Sequence, residues 1–289
     1  MKKTIITLLA LLMLTACTER IRITPQDGNQ LIGVSGSVTD EYKRQEVVVS
    51  RTMPFYGGEP EMVSDAIVFV VDGADTIWYE ESENSGIYLS VNEFAGQVGH
   101  TYHLSIDFID ESGNRHFFAE STMNANVERI DSIRIKPWKF NSLEMEDHLG
   151  VYPYFQTNDD PSICYMARVK INNEDVGGDT LTKCQIFQPM GFAGIYFNGP
   201  FMVMISGEFP IYALNQRDSL QVLHTGDTVT MDLWSIPEFY GYYITDIIAS
   251  TGSNPMMGTP SNVRTNINPE GEAVGCFHAS SLRQCSVIY

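Results

Sequence analysis

Short runs of alternating apolar and polar residues, each closed by a turn, follow one another along most of this chain. That period belongs to half-buried β-strands and not to helices. Residues 31–39 alternate apolar with small side chains, and 46–51 hold a second apolar run, Val47-Val48-Val49, closed by a loop with Pro54 and Gly57-Gly58. Residues 66–71 form an apolar run that ends at Asp72-Gly73, a hairpin-turn dipeptide, and Thr76-Ile77-Trp78-Tyr79 follows at once, so the two segments read as a β-hairpin. Segments at 86–90, 101–107 and 117–122 bring the number to about seven strands over residues 31–126, the size and spacing of an immunoglobulin-like sandwich.

A second region, 127–289, opens with Ile130-Asp131-Ser132-Ile133-Arg134-Ile135, which alternates strictly, isoleucines on one face and polar residues on the other. Further strand candidates lie at 152–155, 164–171, 201–205 and 227–234. One helix is expected near 236–251. Ser235-Ile236-Pro237-Glu238 reads as a capping box with proline in the first turn, and Gly252 as a stop. Within it Phe239, Tyr243, Ile247 and Ile248 share a face, alongside Tyr240 and Ile244. The expected class is mainly β: a sandwich followed by a second β-rich domain carrying one helix in its C-terminal half.

The first residues break this pattern. Lys2 and Lys3 precede an apolar run from Ile5 to Leu14, too short to span a bilayer, and Leu14-Thr15-Ala16-Cys17 places a cysteine where a lipobox needs it. Residues 1–16 therefore read as a lipoprotein signal peptide, Cys17 as the lipidated residue and 17–30 as a tether, which makes the membrane a partner through the N-terminal lipid. Thr18-Glu19-Arg20 sets one acid against one base behind the cysteine, so outward display does not follow from these residues.

Charge narrows the partners. With 18 Lys+Arg against 36 Asp+Glu, a net charge of −18, the chain repels phosphate backbones, and nucleic acid is excluded as an expected partner. Four cysteines remain beyond Cys17: Cys164, Cys184, Cys276 and Cys285. Four cysteines in an exported chain allow three pairings, of which the local ones, 164 with 184 and 276 with 285, are simplest; four buried free thiols fit equally well.

The lipobox with Glu19 behind it, Val63-Ser64-Asp65-Ala66-Ile67-Val68, Gly86-Ile87-Tyr88, Gly99-His100-Thr101-Tyr102, Ile130-Asp131-Ser132-Ile133, the segment 232–243, and the closing 260–267 with Gly275-Cys276-Phe277-His278-Ala279 come in an order that resembles a family of Bacteroidota envelope lipoproteins known as domain of unknown function 4249. The tail departs from that pattern at Asn268-Pro269-Glu270-Gly271-Glu272, where a Gly-Gly is common. The resemblance implies a transthyretin- or carboxypeptidase-regulatory-like sandwich in front, an outer-membrane lipoprotein facing the surface, and a neighbour among TonB-dependent transporters. It implies no catalytic residues.

Chemistry is sparsely signalled. The chain has no Gly-x-Ser-x-Gly elbow, no His-Glu-x-x-His and no glycine-rich phosphate loop, and its six histidines are scattered. No cofactor is expected. Weak calcium candidates are Asp107, Asp110 and Glu111, with further acidic turns at Asn158-Asp159-Asp160 and Asn172-Asn173-Glu174-Asp175; none follows the EF-hand spacing. The richest surface candidate is an aromatic segment broken by glycine and proline: Phe187, Phe192, Tyr196, Phe197, Phe201 and Phe209 form either a binding lip or part of a second core. The expected function is a non-enzymatic binding or accessory module beside an outer-membrane transporter or other envelope assembly. A surface hydrolase of glycan or peptide, and an adhesin or stalk subunit, are the alternatives.

Overall fold

In a computed structural model the chain is described over residues 30–53, 58–140, 143–176, 184–187, 191, 193–206, 222–252 and 263–289, and the side chains over all of these but 139, 140, 143–147, 203, 205, 206, 251 and 252. The signal peptide, Cys17 and the tether up to residue 29 lie outside the described residues, as do Phe192 and Phe209.

The alternating runs become strands β1 (Ile32–Thr39), β2 (Glu46–Arg51), β3 (Ile67–Asp72), β4 (Asp75–Glu81), β5 (Ile87–Ser90), β6 (Thr101–Asp110) and β7 (Gly113–Thr122). The expected hairpin joins β3 to β4, with Asp72 opposite Asp75 and Gly73 at φ 60° in the turn. The second region supplies β8 (Ser132–Phe140), β9 (Leu143–Gln156), β10 (Cys164–Ile171), β11 (Glu174–Asp175), β12 (Gln185–Phe187), β13 (Tyr196–Phe197), β14 (Met202–Ser206), β15 (Val222–Leu223) and β16 (Thr228–Ile236). A helix, α1 (Glu238–Gly252), and a long last strand, β17 (Ala273–Ile288), close the chain. The fold is mainly β, two sandwich-like units with one helix in the second half.

Pairing runs without a break through both units in the order β11-β10-β16-β17-β1-β2-β5-β4-β3-β6-β7. In the first unit the sheet turns back on itself, so that β17, β1, β2 and β5 face β4, β3, β6 and β7 across a core that includes Val34, Val47, Val68, Tyr102, Phe117 and Phe277. Each large apolar side chain fully buried there contributes about 1.5–3 kcal/mol. In the second unit β10, β16 and the end of β17 face β8, β9 and β14 across Ile133, Val151, Tyr165, Met204, Met231 and Leu233.

β17 belongs to both units. Ala273–Ser280 pairs parallel with β1, and Ser281–Ile288 pairs antiparallel with β16. The sequence division at residue 126 thus follows the chain and not the packing: Ala273, Phe277 and Ala279 lie in the core of the first unit. Gly275 makes the close pairing feasible. Its φ is 102°, and a Cβ at that position would stand 1.9 Å from the Val34 carbonyl oxygen.

The helix lies on the far side of β10, β16 and β17 from the second core, where Tyr240 and Ile244 pack on Met166, Ile236 and Cys276. It comes closest at Gly241, where a Cβ would stand 2.7 Å from the Cys164 sulfur. The capping box does not form. β16 runs on to Ile236, the Ser235 hydroxyl is buried without a partner among the described residues, and the Pro237 carbonyl accepts the first helical bond from Gly241 N–H at 3.2 Å. Strand pairing of Ser235 with Ser281 outcompetes the cap.

Candidate functional site

The described members of the aromatic segment are drawn mostly into the second core. Phe201 is buried, Phe187 and Phe197 pack half-buried against it with ring centroids 5.4 Å (187–201) and 5.9 Å (187–197) apart, and Phe155 stacks under Phe197 at 5.3 Å. Tyr196 alone of the described members is exposed, and its hydroxyl donates to Asp131 at 3.0 Å. These rings close the edge of a core and form no lip; the strands β12 and β13 turn them inward.

The calcium candidates also separate. Asp107 and Asp110 are three apart on β6 and so project to opposite faces. Asp107 accepts from His116 Nδ1 at 2.7 Å. Asp110 lies between Arg51 and Arg115, at 3.4 and 3.3 Å. Burial works against the Asp110 charge, but the Ser112 N–H and the two guanidinia outweigh it and hold its carboxyl below the ordinary range. Glu111 lies in the turn beyond β6. Asn172 and Asn173, at φ 52° and 71°, form the two-residue turn between β10 and β11. No cluster of three or more His, Cys, Asp or Glu suited to a metal occurs among the described residues.

All four cysteines are thiols. Cys276 and Cys285 are nine residues apart on one extended strand, about 30 Å at 3.3 Å per residue, far beyond disulfide reach. Register sets Cys184 near Arg168, whose Nε lies 3.0 Å from its sulfur, and four residues from Cys164. Burial pushes the Cys164 thiol up to about 12, which leaves it unreactive.

An exposed apolar face appears instead on the first sandwich. Antiparallel register lines up Trp78, Phe69, Ser105 and Phe118 across β4, β3, β6 and β7, all pointing away from the core. Three strand spacings make this row about 14 Å long. Trp78 is 53% exposed and Phe118 48%, and the Trp78 and Phe69 rings lie 5.1 Å apart. On one side runs Ile67, Asp107 and His116, with Ile67 57% exposed; on the other, Val71, His103 and Glu120. His116 stacks on Phe118 at 5.7 Å. A sheet face open to water is ordinarily polar; β7 follows that rule apart from Phe118, as does β6 at His103, Ser105 and Asp107, whereas β3 turns Ile67, Phe69 and Val71 outward beside Trp78.

The row includes a serine, a carboxylate and an imidazole, but not in a nucleophilic order. The Ser105 hydroxyl donates to Asp107 at 3.4 Å and Asp107 holds His116, so in this arrangement no imidazole takes the serine proton. At the Phe118 end the face opens into a cleft of about 740 Å³ between β7 and the first turn of α1, walled by His103, Glu120, Glu238, Phe239 and Asn266. Deep in it His278 stacks under Tyr240 at 3.7 Å, and its Nδ1 has no partner among the described residues. A larger groove, about 990 Å³, lies between the outer side of β1 and β2 and α1; one wall is Val263, directly after a stretch outside the described residues. No described helix is long and apolar enough to cross a membrane.

Sequence reasoning missed the aromatic row because it took residues 66–71 as one apolar run and assigned no side chain in it to a face. The signal was there: Ile67, Phe69 and Val71 are apolar on the same side that Val68 and Val70 leave free, so the strand is apolar on both faces.

A two-unit β-sandwich protein with an exposed aromatic row on one sheet face is thus the class that fold and site define. By its sequence the chain belongs to the family of domain of unknown function DUF4249, whose pattern matches residues 18–285. No curated protein matches it. The crystal structure of the chicken CNTN1 FN1–FN3 domains aligns at 12% identity and a TM-score of 0.27, over 75% of this chain and 65% of that one, so this chain spans under two thirds of its length.

Proposed function

We propose that this chain is a non-enzymatic binding module of a Bacteroidota outer membrane, held by a lipid on Cys17 and facing the surface, and that it docks through the Trp78–Phe118 face onto a protein partner such as a TonB-dependent transporter. The observation that carries the reading is the exposed aromatic row itself, since an apolar sheet face of this extent usually marks an interaction site. Glu80, Asp107 and Glu120 rim the row, in a chain of net charge −18, so the partner surface it fits has an apolar centre and a basic edge.

The test is affinity purification of the full chain from gently solubilised envelopes, beside a Trp78→Ala/Phe118→Ala variant. Both side chains point away from the core, so the variant folds. Recovery of a membrane-protein partner should fall about tenfold or more, as for truncation of aromatic anchors. Equal recovery with the variant would remove the face from the interaction, and repeated recovery of no membrane protein would defeat the reading as a whole. Cys17→Ser should release the protein from the membrane fraction.

A further inference from the structure

Cations are scarce in this acidic chain, and nearly all are spoken for. Among residues whose side chains are described, every lysine and arginine but two lies within ion-pair distance of a carboxylate. The two exceptions, Arg134 and Lys136, are neighbours on the outward face of β8, about 7 Å apart along the strand. Both are exposed.

Their support is built from the partner strand. Arg134 pairs with Tyr152 and Lys136 with Gly150, so Tyr152 and Tyr154 of β9 share their face. The Lys136 ammonium sits 3.9 Å from the Tyr152 ring centre, and the Arg134 guanidinium 5.2 Å from that of Tyr154. Lys136 Nζ also donates to the Tyr154 hydroxyl at 3.4 Å. Tyr152 points outward yet is only 9% exposed, because its ring lies down over Gly150: a Cβ there would stand 2.5 Å from the ring. Gly150 is the seat that lets the ring lie flat and present its face to Lys136.

Aromatic faces hold the two cations in place, and no carboxylate among the described side chains pairs with their charge. An arginine fork, a lysine point charge and a phenol hydroxyl on one face are three donors suited to the three oxygens of a tetrahedral anion. We propose that this face of the β8–β9 hairpin is an anion site for a phosphate-bearing ligand, held by Arg134, Lys136 and the Tyr154 hydroxyl. Elsewhere the acidic surface repels such a ligand, which confines it here.

The site is tested by isothermal titration of the full chain with inorganic pyrophosphate at low ionic strength. Saturable binding at one site is expected, weakening as salt rises. Arg134→Gln/Lys136→Gln should weaken it at least tenfold with the circular dichroism spectrum unchanged, since both side chains are exposed. Gly150→Ala, which forces the Tyr152 ring off its seat, should weaken it several-fold while both charges remain. Absence of saturable binding, or equal affinity in the double variant, overturns the proposal. The source of the phosphate is read by repeating the titration with phosphatidylcholine vesicles with or without phosphatidylglycerol. Competition by the anionic vesicles identifies a lipid headgroup; undiminished pyrophosphate affinity identifies a soluble phosphoester.

Discussion

His278 shows how one residue couples packing to pH. It lies beneath Tyr240, and burial lowers its pKa from 6.5 to about 3. The folded chain therefore keeps it neutral while the unfolded chain takes up a proton below 6.5. Its contribution to stability is complete above that value and lost as pH falls toward 3, at about 1.4 kcal/mol per pH unit. Replacing His278 by Gln removes this proton uptake. Urea unfolding of both proteins between pH 6.5 and 4 should show the wild type losing stability relative to the variant along that slope; parallel curves would show that the imidazole is not shut away. Other individual residues were only partly legible. That Phe187, Phe197 and Phe201 were aromatic on glycine-broken segments was plain, but exposure depends on which strand covers them, and composition holds no record of that.

Elements were more legible than residues, because alternation and turn chemistry are local. The hairpin at Asp72-Gly73 and the isoleucine-faced β8 follow from side-chain period alone. The helix emerged in place, but with its cap shifted from Ser235, since strand pairing with β17 claimed that residue. β17 itself carried an unread requirement. Gly275 opposes Val34 so closely that any Cβ collides with its backbone, at a φ that L-residues rarely adopt. Gly275→Ala is accordingly expected to destabilise by several kcal/mol, more than an ordinary overpacked core site. A midpoint in thermal unfolding within a degree or two of wild type would mean that β1 and β17 can separate locally without cost.

At the scale of the molecule, one strand ties both cores together. Separate domains of this size would unfold in two steps, whereas a shared β17 makes loss of either core expose the other. A single transition is therefore expected. Trp78 reports on the first unit, and Trp138 and Trp234 on the second. Fluorescence of a variant keeping only Trp78 should follow the same denaturation curve as far-ultraviolet circular dichroism. A fluorescence midpoint well apart from the circular dichroism midpoint would show two independent units.

Which segments are strands, where hairpins turn and that a helix precedes the end could be read from residues a few positions apart, and the acidity from composition alone. It took pairing between distant strands to bring Ala273–Ser280 into the first sandwich, to set Cys164 four residues from Cys184 and Cys276 nine from Cys285, to turn Phe187, Phe197 and Phe201 inward while Phe69, Trp78 and Phe118 line up outside, and to leave Arg134 and Lys136 against tyrosine rings with no acid among the described side chains. Those outcomes depend on register between strands far apart in the chain, and a one-residue slip there turns every side chain to the other face without changing the local pattern at all.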